Sequence, residues 1–319
     1  MTRPLSWVVG AGGLLGSHLL RSLARRGPVW SPPTPLRWTD PGATAQLAGA
    51  AAAFLHDCGG GPWQVAWCAG AGVTGADEVS LHSEQAALHR LLEALTPGAG
   101  SGGALFVASS AGGVYAGSAE APFTEAHKSR PLSAYGRSKL VIEGAATDWG
   151  RRTGVPVLIG RLANLYGPGQ NLTKQQGLVS QLCRAHLLNQ PVSVFVPMDT
   201  TRDYLFAPDC GELVADALDR LRSAGGTWTK ILASHQAVTV GAVVGELRRL
   251  VKAAPRITYG TSATSHLQAR DLRLRSQVWT ELDRRPLTTL AAGMHATTLD
   301  LARALATGDL AVRAAAPRR

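Results

Sequence analysis

One turn constrains this chain more than any other stretch. The run Leu5-Ser6-Trp7-Val8-Val9 breaks into Gly10-Ala11-Gly12-Gly13-Leu14-Leu15-Gly16, and Leu14, Leu15, His18, Leu19, Leu20 and Leu23 then keep a helix period. Strand, glycine turn and helix in that order give the glycine pattern its meaning. Gly10 permits a tight turn, Gly13 lets backbone N–H groups approach a pyrophosphate, and Gly16 lets the helix pack close to the strand. The first helical residues, Leu14 and Leu15, then present their amides and the positive end of the helix dipole to the phosphates. The bland alternative is a glycine-rich turn in a chain of 36 glycines.

Beyond this helix the chain alternates strand and helix patterns. Strands are expected over 28–30 and 36–38, a helix over 43–56, a strand over 64–68, a helix over 79–95 and a strand over 104–108. Dinucleotide folds that prefer NAD place Asp or Glu at the end of the second strand, for the ribose hydroxyls. Ser31-Pro32-Pro33 stands there instead, and nearby Arg37 is available to a 2′-phosphate, which leans toward NADP. Asp40, expected to end the third strand, is a candidate for the adenine amino group or, equally, a helix N-cap before Pro41. Cys68-Ala69-Gly70-Ala71-Gly72 ends the next strand with small residues, against which a dinucleotide can lie.

The strand over 104–108 delivers Ser109-Ser110 to the edge where open α/β sheets bind ligands. A hydroxyl there can polarise a reacting sugar oxygen, or simply cap its own loop. Tyr135-Gly136-Arg137-Ser138-Lys139 comes one loop later. On a helix, Tyr135 and Lys139 share a face. A phenol titrates near ~10 in water, and an ammonium close by favours its ionised form. Such a tyrosine takes a proton from a hydroxyl, or gives one to a ketone, near neutral pH.

A strand over 155–159 leads to Asn164, placed to bond a phosphate or sugar, or to make an Asx turn before Gly167-Pro168. From Thr173 the pattern changes to short amphipathic pieces, and strand character returns at Arg202-Asp203-Tyr204-Leu205-Phe206. Arg202 is a candidate diphosphate clamp; the alternative is a salt bridge to Asp203 or Asp209. The tail after Asp309 is expected to fray.

Composition narrows the function classes. With 319 residues, 45% of them hydrophobic, the chain is long enough for a large domain or a large and a small one. No apolar run is long enough to span a bilayer, the longest being the alanine-rich stretch 48–55. Cys58, Cys68, Cys183 and Cys210 have no C-x-x-C spacing and read as reduced, cytoplasmic thiols. The nine histidines form no metal-binding pattern, so no metal is expected. The formal charge of +10 is scattered, without the basic stripe and interleaved aromatics of a nucleic-acid binder, and is assigned to phosphate-bearing ligands.

With these pieces named, the chain resembles the extended short-chain dehydrogenase/reductase family, in its nucleotide-sugar epimerase/dehydratase branch. The resemblance runs from about Trp7 to about Leu290. It rests on Gly10/Gly13/Gly16, the serines before Val114-Tyr115, the Tyr135/Lys139 pair, Arg161 with Asn164-Leu165-Tyr166-Gly167-Pro168-Gly169, Arg202-Asp203-Tyr204, and Pro286-Leu287-Thr288-Thr289-Leu290-Ala291-Ala292-Gly293. It implies a Rossmann-like doubly wound parallel sheet with a smaller C-terminal α/β substrate-binding part. Residues 1–166 would bind the dinucleotide, segments near 200–235 would return to that domain, 167–312 would cover the sugar nucleotide, and 313–319 would be a flexible tail. It further implies a homodimer formed through helices that include the one bearing Tyr135.

By position, the resemblance makes Tyr135 the acid/base, while Lys139 would tune it and bind the nicotinamide ribose. The family's Ser or Thr, four residues before the tyrosine of its V-Y-G segment, falls here on Ala111, so Ser110, one residue further back, or Ser109 would serve. The Asp-Glu pair of the branch's 4,6-dehydratases is replaced by Ala and Gly, which ranks dehydration low. Arg270, with Gln268 and Arg273, would line the sugar site. Three functions remain: an NAD(P)-dependent sugar-nucleotide epimerase, an NADPH-dependent 4-ketoreductase, and an inactive cofactor-sensing regulator.

Overall fold

The computed structural model describes residues 2–38, 40, 42–70, 76–172, 177–251, 256–260 and 267–308. Ala71, Gly72, Pro41, Thr173 and the tail after Asp309, all named from the sequence, lie outside them. Six strands form one parallel sheet: β1 (Leu5–Val9), β2 (Val29–Trp30), β3 (Trp63–Trp67), β4 (Ala104–Ser110), β5 (Val157–Leu162) and, after smaller strands, β10 (Thr227–Leu232). The order is β10-β5-β4-β3-β1-β2. From β1 the chain goes to β2 on one side and returns to β3 on the other, so the crevice opens where β1 and β3 end.

Alternation along these strands builds two cores. Val8, Ala66, Phe106 and Leu158 face one layer, where helices α1 (Leu14–Ala24) and α7 (Ala207–Ala224) add Leu19, Leu213 and Leu218. Trp7, Val9, Val65, Trp67, Val107 and Ile159 face the other, covered by α2 (Ala43–Asp57), α3 (Glu78–Leu95) and α5 (Ala134–Thr153). The short α4 (Ala111–Tyr115) lies between β4 and α5.

The remaining elements make a smaller body with its own core. They are β6 (Asn164–Tyr166), α6 (Leu178–Leu187), β7 (Val192–Val194), β8 (Thr201–Arg202), β9 (Tyr204–Phe206), β11 (Val238–Thr239), α8 (Val240–Val251), β12 (Ile257–Tyr259), β13 (Asp271–Leu272) and α9 (Leu290–Ala306). β6 pairs with β9, β7 with β12, and β8 lies between β11 and β13. Tyr166, Leu182, Phe206, Val243, Leu247, Met294 and Leu301 fill its centre.

One expected strand is absent: 36–38 contains no strand, and no regular element separates β2 from α2 among the described residues. Pro32, Pro33 and Pro35 explain it, because each lacks the N–H that a ladder requires. Asp40 therefore ends no strand. It caps no helix either: Gly42 holds the N-cap position of α2 and makes no side-chain bond there. Other boundaries moved by a residue or a few; β4 continues through Ser109 and Ser110, and β5 begins at Val157 rather than Val155.

Candidate active site

The glycine turn closes as its residue types require. Gly10 has φ +88°, and a Cβ on it would stand 2.6 Å from the backbone nitrogen of Ala69 at the end of β3. The two strand ends are further joined by the Cys68 amide, which donates to the Val9 carbonyl at 2.8 Å. Gly16 packs against the turn itself, not the strand, since a Cβ there would overlap the Gly10 carbonyl. Gly13 is the N-cap of α1 and offers no side chain, so the first-turn amides stay open to a ligand. A Cβ on Gly12 would meet nothing within 4 Å. This backbone cradle fits a pyrophosphate.

Around it, Leu15 is buried, Leu14 and Cys68 are half-buried and Ala69 is buried. The Cys68 thiol is pushed up to about 12 by burial and stays neutral. Ser31 and Arg37 are exposed past β2. The Arg37 side chain pairs with no described carboxylate, and the Asp40 amide bonds the Arg37 carbonyl at 3.0 Å.

Tyr135 and Lys139 do share a face of α5, with Nζ 5.5 Å from the centroid of the phenol ring. Ser133 caps this helix by accepting the Gly136 amide at 3.1 Å. Tyr135 packs on α4: a Cβ on Gly113 would stand 3.1 Å from its Cε1. Lys139 is 6% exposed and ion-paired at 2.6 Å with Glu84, which projects from α3. Burial works against the ammonium, but the charges of Tyr135 and Glu84 outweigh it and hold Lys139 above its ordinary range.

The two serines part company. Ser109, 4% exposed, donates to Glu143 Oε1 at 2.6 Å on the inner side of α5. Glu143 also receives both arms of Arg161, at 3.0 and 2.6 Å, and Arg161 in turn donates to the Tyr115 hydroxyl at 2.6 Å. That network is interior, so the Ser109 hydroxyl is already engaged. Ser110 is half-buried, on the opposite face of β4, and accepts the Gly113 amide at 3.1 Å as the cap of α4. Of the pair, Ser110 shares α4 with Tyr135.

Arg202 bridges neither Asp203 nor Asp209. It is 6% exposed and donates to carbonyls of Thr201 (2.9 Å) and Arg270 (3.5 Å) and to Gln268 Oε1 (3.5 Å), with no ion pair among the described residues. Burial lowers its proton affinity, with Tyr204 and Asp271 partly opposing. Asp203 instead accepts the Ser234 amide at 2.8 Å. Asn164 is exposed within β6, its amide bonded to the Asp203 carbonyl at 3.0 Å. The Arg270 side chain, exposed, pairs with Asp199, while its carbonyl accepts from Arg202. Arg273 is likewise engaged by Asp271 at 2.8 Å.

Two groups escaped the sequence reading. Glu84 sits on the stripe of Leu81, Leu88, Leu91, Leu92 and Leu95 that α3 buries, and an acid on such a stripe is the available signal. Glu143, paired with Arg161 18 residues further on, carries no local signal. Among the described residues no group of three or more His, Cys, Asp or Glu is placed to hold a metal, and no helix is long and apolar enough to cross a membrane.

The doubly wound sheet, the glycine cradle and the Tyr-Lys pair at one crevice define a dinucleotide-binding α/β protein. The model of the NAD dependent epimerase/dehydratase family matches residues 7–229, and the chain belongs to that family. A dTDP-L-rhamnose 4-epimerase from Burkholderia thailandensis is 34% identical over 92 residues, covering 28% of this chain and 25% of the relative. The chain thus matches about a quarter of that relative's length; for a putative UDP-glucose 4-epimerase from Methanocaldococcus jannaschii, 34% identical over 35% of this chain, it matches 37%. In fold, the chain superposes on UDP-glucose 4-epimerase from Thermotoga maritima with UDP-glucose, at TM-score 0.78 and 19% identity over 94% of this chain and 99% of that one.

Proposed function

We propose that the protein is an NAD(P)-dependent epimerase of a nucleotide-linked sugar, in which residues 1–166 hold the cofactor and 167–312 the sugar nucleotide. The observation that carries this reading is Lys139 Nζ 5.5 Å from the Tyr135 ring centroid, with the same Nζ 2.6 Å from Glu84, whose carboxylate lies against Gly70 just past β3. Gly10, Gly12, Gly13, the first turn of α1, Ala69, Gly70 and Lys139 would hold NAD(P), which when bound would supply the hydride acceptor and donor. Tyr135 removes the proton from a ring hydroxyl as the carbon is oxidised and returns it after the keto sugar has turned over. Lys139 balances the phenolate, and Ser110 hydrogen-bonds the reacting oxygen. Arg202, a buried guanidinium with no described counter-ion, binds the diphosphate, and Asn164 borders it.

A second reading, a 4-ketoreductase using NADPH, is favoured by one observation: the stretch 31–38 after β2 holds no carboxylate, and Arg37 is exposed there. Exposed Val79 on α3 and Val141 on α5 support a homodimer through those helices, and the cysteines support a cytoplasmic location. Mass spectrometry of ligand released from the native protein, with a redox balance on nucleotide hexoses, tests the choice. Retained NAD and sugar interconversion without net redox change support the epimerase; stoichiometric NADPH consumption would overturn it in favour of the reductase.

A further inference from the structure

Glu84 takes no part in the chemistry proposed for Tyr135, yet it is the partner of the one lysine that chemistry needs. It is 9% exposed, on α3, with Oε1 2.6 Å from Lys139 Nζ on α5. The sheet edge is shaped around it, for a Cβ on Gly70 would stand 2.8 Å from the same oxygen. A buried ion pair pays heavily in lost hydration. The rest of the stripe on α3 is apolar, so a leucine at this place would pack without that cost. An ammonium has three donors; Glu84 takes one and fixes the direction of the others.

We propose that Glu84 is a positioning residue: it anchors Lys139 beside the Tyr135 ring and offsets the positive charge of the ammonium there. The inference rests on the function proposed for Tyr135 and Lys139. Among the described residues, the groups acting most on Lys139 are Tyr135 and Glu143 of α5 and Glu84 of α3. Arg161 of β5 neutralises Glu143 at 2.6 Å, Ser109 of β4 adds only a hydroxyl, and Cys68 after β3 stays a neutral thiol. Lys139 and Glu84 therefore remain as a pair of zero net charge beside the phenol. Replacing Glu84 by its amide keeps the shape and leaves the cluster at +1, which favours the phenolate.

The test is the ultraviolet tyrosinate band, titrated in cofactor-free protein for wild type, E84Q and E84D, each corrected by the same protein carrying Y135F. A single charge at this range moves the midpoint by about one pH unit or more, and E84Q is expected to shift it downward by that much. E84D withdraws the carboxylate by one methylene, so it is expected to shift the midpoint the same way by less; it carries the test where E84Q does not fold. An unmoved midpoint in E84Q, or in E84D where only that variant folds, would overturn the proposal. This titration needs no substrate, so its failure is distinct from that of the enzymatic reading, which is decided by turnover of Y135F.

Discussion

Gly136 on α5 lies directly on the carbonyl of Gly113 in α4, and any Cβ there would overlap that oxygen. This contact between two glycines brings the first turn of α5 down onto the segment that succeeds β4. It sets Tyr135 over α4, whose cap is Ser110. Gly136→Ala is expected to force the two apart. Overpacking of this kind costs about 1–3 kcal/mol, and turnover should fall with it. Denaturant unfolding alongside a turnover assay checks both; an alanine variant with wild-type values of each would show that the contact yields freely.

Gly12 offers the complementary case. A Cβ there meets no protein atom within 4 Å, so Gly12→Ala should leave the melting temperature unchanged. If the pyrophosphate lies against the turn, the methyl group occupies ligand space, and cofactor affinity should drop about tenfold or more, as loss of one to two charged hydrogen bonds would. Isothermal titration with NAD and NADP reads this directly. Equal affinity in the variant would place the phosphates elsewhere.

Arg202→Ala should raise KM for the nucleotide sugar more than it lowers kcat, because a phosphate contact far from the reacting carbon binds ground and transition states alike. A charge-assisted contact predicts a rise of about tenfold or more. Arg202→Lys should recover part of it, since an ammonium meets phosphate as a point charge without the bidentate fork. An unchanged KM would assign Arg202 to holding the segment of Gln268 and Arg270 alone.

The same residues show how far the sequence could be read. The glycine turn was legible because its glycines answer local demands, at Gly10 a positive φ and at Gly16 a close approach. The buried parallel strands were legible as apolar runs, and Tyr135 and Lys139 as one helix face. The supposed strand over 36–38 failed because its apolar signal ignored three nearby prolines. The partners of long side chains were not legible at all. Lys139 finds Glu84 across 55 residues, Arg270 turns to Asp199 across 71, and Ser109 is drawn inward by Glu143 across 34. Such pairings depend on how helices and loops dock, which no local pattern encodes.

Stability should respond to acid through Glu212. Partial burial works against this carboxylate, but hydrogen bonds from Ser22, Arg26 and Arg25 prevail and hold it at about 2, against an ordinary value of 4.5. It ties α7 to α1. Because the folded value is depressed, its contribution is full above pH 4.5 and is lost as pH falls from there through about 2. The melting temperature of wild type should therefore fall more steeply below pH 4.5 than that of Glu212→Gln. Parallel curves would mean that the arginines find equal partners in the unfolded chain.

The central claim is that Tyr135 carries the proton, and the turnover of Tyr135→Phe on the nucleotide sugar tests it most directly. Removal of a general acid/base predicts a loss of about 100-fold or more, with cofactor affinity close to wild type because the ring and Lys139 remain. Turnover equal to wild type would contradict the account.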